Sequence, residues 1–202
     1  MVFEFNEFIK EINKQATEKH VNVFPLESIV QDYKNRLLDE NAILAEFGVY
    51  SGRTINYIAR VCAPNVIHGF DSFFGLPETW RNGFEQGFFN CNGIIPYVEN
   101  NVKLHIGLFD KTIPAFKNSI GDRNISFMHI DCDLYSSTKT IFDLLGDNIT
   151  NTIIEFDELI NYDGYEQHEI LALWEFLKAH DDLEMKVLYA NGEQVSVYIN
   201  KK

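Results

Sequence analysis

Two short stretches concentrate acidic residues where an alternating chain would end its strands. HIDCDLYSST (129–138) carries Asp131 and Asp133 just past an apolar run, and EFDEL (155–159) carries Asp157 and Glu158 just past another. Carboxylates brought to one pocket edge repel one another, so several stay ionised together only when a cation neutralises them. An all-oxygen set suits a hard divalent ion, and Mg²⁺ that keeps some of its water is the expected species. The competing reading is structural: these carboxylates cap the helices that follow, with Asp133 or Ser136 at an N-cap. No Cys/His grouping has zinc spacing, so a structural zinc is not expected.

A third stretch, AEFGVYSGRTINYIAR (45–60), packs Glu46, Gly48 and Gly52 into one turn between an apolar run and a helical pattern. A helix N-terminus with free N–H groups favours an anionic group such as a carboxylate, and the glycines let a ligand approach the backbone. The spacing Glu-x-Gly-x-x-x-Gly differs from the G-x-G-x-x-G that wraps a pyrophosphate. Asp71 ends the next apolar run, 19 residues past Gly52. An acidic residue there can accept hydrogen bonds from both hydroxyls of a ribose. Glu46 can receive an ammonium group or orient the loop. A ligand with a nucleoside at one end and an amino acid at the other satisfies all three features.

These residues need a scaffold that brings strand ends together. Apolar positions at helical spacing predict two leading helices over 3–17 and 26–38. Short β-rich runs follow at 42–48, 66–71, 102–107, 125–131 and 152–157, and helical segments at 53–62, 111–120, 136–146 and 165–179 lie between most of them. Such alternation builds βαβ units and a parallel sheet with helices on both faces. The runs are nearly unbroken apolar, as strands buried on both faces should be. At the end, 184–190 and 194–200 flank Asn191-Gly192-Glu193, a hairpin signal that closes the sheet with antiparallel strands. The 73–98 stretch, rich in Gly and Phe, reads as a lid or binding loop, or as a surface excursion packed by its own aromatics. A crossover of that kind is expected to hold some helix. No repeat, low-complexity tract or linker divides the chain, so 1–202 is read as one domain opened by the helices of 1–40.

With 202 residues, 46% of them hydrophobic, the chain can bury a substantial core. Its net charge of −13, from 30 acidic and 17 basic residues, opposes nucleic acid and anionic membrane surfaces as partners. Three scattered cysteines without a CxxC pair suit reduced thiols. The charged amphipathic start lacks a signal-peptide pattern, and no apolar run reaches the roughly 18 residues of a membrane span. A soluble, cytoplasmic protein is therefore the expectation.

Five motifs in order, EFGVYSGRT (46–54), GFDSFFGLPETWR (69–81), GLFDKTIPAF (107–116), HIDCDLYSSTKT (129–140) and EFDELINYDGYEQHE (155–169), make the chain resemble the class I S-adenosylmethionine-dependent methyltransferases. From about residue 40 onward it is similar to the catechol O-methyltransferase-like branch, and within it to the macrocin and mycinamicin (TylF-like) O-methyltransferases. The resemblance implies a Rossmann-like α/β sandwich with a seven-stranded, mostly parallel sheet and a last antiparallel pair. It implies that Glu46, Gly48, Tyr50, Ser51, Gly52 and Thr54 surround the methionine part of S-adenosylmethionine. Asp71 would hold the ribose with Ser72 beside it, and Phe109 and Asp110 would lie by the adenine. Core packing remains the alternative for Tyr50 and Phe109. Asp131, Asp157 and Glu158 match the family's metal positions, with Glu158 standing where Asp or Asn is more familiar.

Methyl transfer from a sulfonium is an in-line displacement, so alignment and activation of the acceptor carry catalysis. Where catechol-type enzymes place a lysine three residues after the strand-four Asp, this sequence has Leu134. Asp131 and Asp133 are the catalytic candidates, and His168 is a further candidate base. His68, His105 and His129 fall within strands and read as core residues. Stacking of a sugar on Trp80, Tyr162 or Tyr165 is a further reading suggested by sugar-modifying relatives. The expectation is an O-methyltransferase for a sugar, polyol or natural-product hydroxyl, assisted by Mg²⁺, and a homo-oligomer is compatible with the resemblance. The alternatives are an NAD-dependent sugar oxidoreductase, which the glycine spacing opposes, and a non-catalytic protein that keeps the fold.

Overall fold

Fourteen principal elements make up the structure, a computed structural model that describes residues 2–202, with side chains from residue 4 onward; Met1 of the expected 1–202 domain lies outside the described residues. Three helices lead, α1 (Val2–Glu18), α2 (Pro25–Asp32) and α3 (Lys34–Leu37). The alternating part follows as β1 (Leu44–Phe47), α4 (Arg53–Val61), β2 (Ile67–Asp71), β3 (Val102–Ile106), α5 (Phe109–Ile120), β4 (Phe127–Ile130), α6 (Tyr135–Leu145) and β5 (Thr152–Phe156). The chain ends with α7 (Glu169–Ala179), β6 (Leu183–Asn191) and β7 (Gln194–Lys201). The seven strands form one sheet in the order β3-β2-β1-β4-β5-β7-β6. All pairings through β5 are parallel, and β7 pairs antiparallel with both β5 and β6. This is the expected Rossmann-like sandwich.

Apolar side chains cover both faces. Phe47, Phe70, Ile113, Phe116 and Ile141 lie in one buried cluster, and Leu44, Ile55, Ile58, Phe73 and Phe127 lie in another. Every residue of β1, β4 and β5 is buried, which is why these strands read as nearly unbroken apolar runs. The order reverses at β1, between β2 and β4, and ligands in doubly wound sheets bind at such a switch point, beyond the strand ends.

Three boundaries differ from the sequence pattern. The predicted 26–38 helix divides at Tyr33, whose φ of −104° and ψ of 13° leave the helical range. The predicted 165–179 helix starts only at Glu169, because Tyr165–Gln167 form a tight turn and His168 adopts ψ −131°. The hairpin turn is Gly192-Glu193, with Asn191 paired to Gln194 in the strands. The β2–β3 connection contains no helix among its described residues. Positive φ at Phe73, Phe89 and Asn92, besides its glycines, breaks any helical run, and an isolated bridge between Phe74 and Asn90 folds the segment back on itself.

Candidate active site

A cavity of about 440 Å³ opens beyond the strand ends of β1, β2, β4 and β5. Gly48 and Tyr50 from the β1 exit, Asp71 and Ser72 from the β2 exit, and Phe109 and Asp110 from the start of α5 line one part of it. Asp131 and Asp133 from the β4 exit, and Asp157 and Glu158 from the β5 exit, line the other.

Asp71 organises the first part. Its Oδ2 accepts the backbone N–H groups of Val49 and Tyr50, both at 2.8 Å, and its Oδ1 accepts the Phe73 N–H at 2.7 Å. The turn after β1 is thus hung from the last residue of β2. Tyr50 sits at φ 44° and is 48% exposed, with its ring edge-on to Phe89 at 5.3 Å. It is a cavity residue. Phe109 is both wall and packing residue, because it lines the cavity and meets Phe47 edge-on at 5.6 Å. The Ser72 hydroxyl accepts the Phe74 N–H, and Asp110 pairs with Lys111 at 2.7 Å.

Gly48 explains its own residue type. A Cβ built there would lie 1.7 Å from the Asp131 carbonyl oxygen, and φ is +97°. Only glycine lets the β1 exit touch the β4 exit this closely. Gly52, at φ +80°, begins α4, with the Tyr97 carbonyl 3.1 Å from where a Cβ would stand.

Glu46, Ser51, Gly52 and Thr54 do not line the cavity. Glu46 is fully buried one layer behind it, where its Oε1 accepts the Thr54 hydroxyl at 3.1 Å and its Oε2 meets His129 Nδ1 at 2.9 Å. Glu46 and His129 are register partners on β1 and β4, and His129 is in turn the partner of Glu155, and Glu155 of Ser196. A fully buried polar row therefore crosses the middle of the sheet. Burial by itself would push His129 down, but the Glu46 hydrogen bond and charge, with Asp131 and Asp157 behind, push it up to about 10. His129 has a core role as expected, though its Nε2 has no partner. His68 and His105 join each other at 2.9 Å, and burial with the His105 charge pushes His68 down to about 4.

The second part is electrostatically unsettled. Asp131, Asp157 and Glu158 each offer an oxygen, all within 4.8 Å of one another. Burial, then Asp157, raises Asp131 well above the usual carboxylate range, and burial with the Asp157, Asp131 and Asp133 charges raises Glu158. Asp133, 5% exposed and at φ 65°, is pushed up to about 7 by burial and Asp157. Glu158 Oε2 is buried without a hydrogen-bond partner, while Gln194 donates to Asp157 Oδ1. The capping alternative does not describe these groups: the N-cap of α6 is Leu134, and no side chain bonds there. The orphaned buried oxygen and the all-carboxylate donor set fit a hard divalent cation.

Leu134, in the place of a lysine, is buried with Leu76, Trp80 and Tyr162 beneath the 73–98 segment. His168 lies 6.1 Å from the Tyr162 ring and 6.4 Å from Trp80, outside the cavity wall, and burial lowers its pKa. The faces of Trp80 and Tyr162 are occupied by the Arg81 guanidinium, and Tyr165 accepts a hydrogen bond from Asn13 of α1. None of these three rings lines the cavity, so the expected stacking on Trp80, Tyr162 or Tyr165 is not offered there. Sequence reasoning missed Leu76, Pro77 and Phe89 of the 73–98 segment, and Cys132, Ser137 and Thr140 around the start of α6, all of which line the cavity. The LPE turn gave no chemical signal, whereas SSTKT after a strand-end Asp marks a helix start facing the site.

Comparison with known proteins agrees with this construction. A family model described as a methyltransferase domain matches residues 45–159, more than half of the chain. The chain belongs to that family, and so to the class I S-adenosylmethionine-dependent methyltransferases. This membership sets aside the NAD-dependent oxidoreductase. No curated protein matches the chain. Among solved structures it is similar to the calicheamicin methyltransferase CalS11, with 24% identity over 86% of this chain and 77% of that one and a TM-score of 0.64. It is also similar to an O-methyltransferase from Bacillus cereus in complex with SAH, with 15% identity over 98% and 91% of the two chains and a TM-score of 0.55. The mycinamycin-pathway methyltransferase MycE, in complex with Mg and SAH, shares 9% identity over 87% of this chain but 49% of its own, with a TM-score of 0.55. At these identities the likeness is one of fold. No described helix is long and apolar enough to cross a membrane.

Proposed function

We propose that the chain methylates a hydroxyl of a small molecule, a sugar, polyol or natural product, with S-adenosylmethionine as donor and a divalent cation, Mg²⁺, as aid. The observation that carries this reading is one cavity with two chemically distinct ends: an Asp71-anchored turn at one and three cation-competent carboxylates at the other. At the donor end, Gly48, Tyr50 and Asp71 contact the ligand directly, with Ser72, Phe109 and Asp110 toward its nucleoside. A carboxylate has about four acceptor sites, and backbone N–H groups take three on Asp71, so one remains for a ribose hydroxyl. Glu46 and Thr54 act from the layer behind, holding the β1 exit to the start of α4, while Ser51 and Gly52 shape the turn.

At the acceptor end, Asp131, Asp157 and Glu158 hold the cation, which supplies Lewis acidity toward an acceptor oxygen. Asp133 is the group that takes the acceptor's proton: it lines the cavity, and its positive φ aims it there from a strained backbone. The wall from Leu76, Pro77 and Phe89 excludes water and orients the acceptor. Self-association, which the resemblance allows, and a cytoplasmic location remain part of the proposal. Titration calorimetry tests the two ends separately. S-adenosylhomocysteine should bind wild type and lose on the order of 10²-fold affinity in Asp71→Ala, as expected for a partly buried carboxylate hydrogen-bond partner. Mg²⁺ heats should be present in wild type and absent in Asp131→Ala. Equal heats in both pairs would reject the reading.

A further inference from the structure

The 73–98 segment builds part of the cavity wall, yet it contains neither helix nor strand to hold it in place. Backbone hydrogen bonds such as Leu76 N–H to the Phe88 carbonyl fold it on itself, Asn56 and Ser136 reach Tyr97 and Glu78, and one side chain ties it to the far side of the cavity. The Arg81 guanidinium lies 3.9 Å from the ring centre of Trp80, 4.6 Å from that of Tyr162 and 5.2 Å from that of Phe84. It also pairs with Glu193 in the β6–β7 turn at 3.2 Å. Trp80 and Tyr162 meet edge-to-face at 5.6 Å, and both are more than nine-tenths buried. A local turn presents the arginine, because Phe84 N–H donates to the Arg81 carbonyl and Trp80 N–H to the Phe84 carbonyl.

Glu193 is equally well placed. Its carbonyl accepts the N–H groups of Leu159 and Ile160, and Asn161 donates to the Gly192 carbonyl. The acid that Arg81 grips is therefore fastened to the loop that follows Glu158. A planar guanidinium suits this corner, since it can stack on aromatic faces and pair with a carboxylate at once, which a lysine ammonium does not reproduce.

We propose that Arg81 is a positioning residue that locks the 73–98 wall to the loop carrying Asp157 and Glu158, so that the acceptor wall and the carboxylate trio form one mechanical unit. The claim rests on the acceptor-end reading only for the role of that unit. Donor binding at the β1–β2 exit does not depend on the latch.

Hydrogen–deuterium exchange on the full chain tests it, with Arg81→Ala, Arg81→Lys and Glu193→Gln compared to wild type. Arg81→Ala should speed exchange about tenfold both in 76–89 and in 157–165, with the central strands unchanged, as for a local opening. Arg81→Lys keeps the ion pair without the stacking and should restore part of the protection. In a Trp174→Phe background, Trp80 emission should shift to the red in Arg81→Ala and less in Arg81→Lys. Affinity for S-adenosylhomocysteine should stay within about twofold. Unchanged exchange, or loosening of 76–89 alone, overturns the latch, as does general loosening of the sheet. If Arg81→Ala does not fold, Arg81→Lys and Glu193→Gln decide by the same pair of segments. A wild type that fails to bind S-adenosylhomocysteine would defeat the donor reading and leave the latch to be judged by exchange.

Discussion

At the β1–β2 exit Asp71 receives three backbone N–H groups within 2.8 Å, whereas at the β4–β5 exit Glu158 keeps a buried oxygen with no partner at all. Both sets of carboxylates stand at strand ends on the same edge of the sheet. The difference lies in what the chain does next. After β1 and β2 it makes tight turns whose amides point back at the acid. After β4 and β5 the acids face one another, and burial raises the pKa values of Asp131 and Glu158. A carboxylate bonded by amides shapes a loop; carboxylates left to one another wait for a positive charge.

The sharpest way to break this comparison is to force the exits apart. Gly48→Ala places a Cβ against the Asp131 carbonyl at a positive φ, and should cost about 3 kcal/mol or more in denaturant unfolding, with donor and cation binding lost together. Retained binding at both ends would mean that the contact does not couple them.

The same substitution should have opposite signs at the two exits. Asp71→Asn removes acceptors from backbone amides and should destabilise by about 1–3 kcal/mol. Asp131→Asn relieves repulsion, and in chelator at pH 8 should raise the melting temperature by about 2–4 °C per kcal/mol gained. Mg²⁺ should then stabilise wild type but not Asp131→Asn. A drop in melting temperature for Asp131→Asn without cation would show that the exits are alike.

A smaller effect appears in the pH dependence of metal-free protein. Asp133 has a folded pKa of about 7 against an ordinary value of 3.8, so the folded state holds the extra proton. Its contribution to stability falls as pH rises from about 4 toward 7. His68 acts oppositely: its folded pKa of about 4 lies below the ordinary 6.5, so stability is lost as pH falls from 6.5 toward 4. The difference between wild type and Asp133→Asn isolates the Asp133 contribution, and should widen in favour of the variant from about pH 4 to 7 and level off above. A flat difference would remove Asp133 from the unsettled cluster.

The mostly parallel sheet and the edge that carries the candidate cavity were legible because buried parallel strands are largely apolar and because acidic residues follow directly on their last positions. Ile153, Ile154 and Phe156 followed by Asp157 show this in β5, although Glu155 sits within the same strand as a buried polar exception. Gly48 was legible as a close approach, though not what it approaches, since Asp131 is 83 residues away. Glu46 was legible as important but not as buried, because its partner His129 sits on another strand and register alone pairs them. The 73–98 segment was the least readable, since its order comes from irregular backbone hydrogen bonds, ring contacts and one arginine rather than from any periodic pattern.

The amino-acid order by itself determined the sheet, its closing hairpin and which acids stand at strand ends, because these follow from local periodicity and turn chemistry. Only the tertiary structure decided which of those acids are satisfied by amides, which repel one another and which side chains wall the cavity between them. Those outcomes depend on groups far apart in the chain, and distance in space, unlike periodicity, leaves no mark along it.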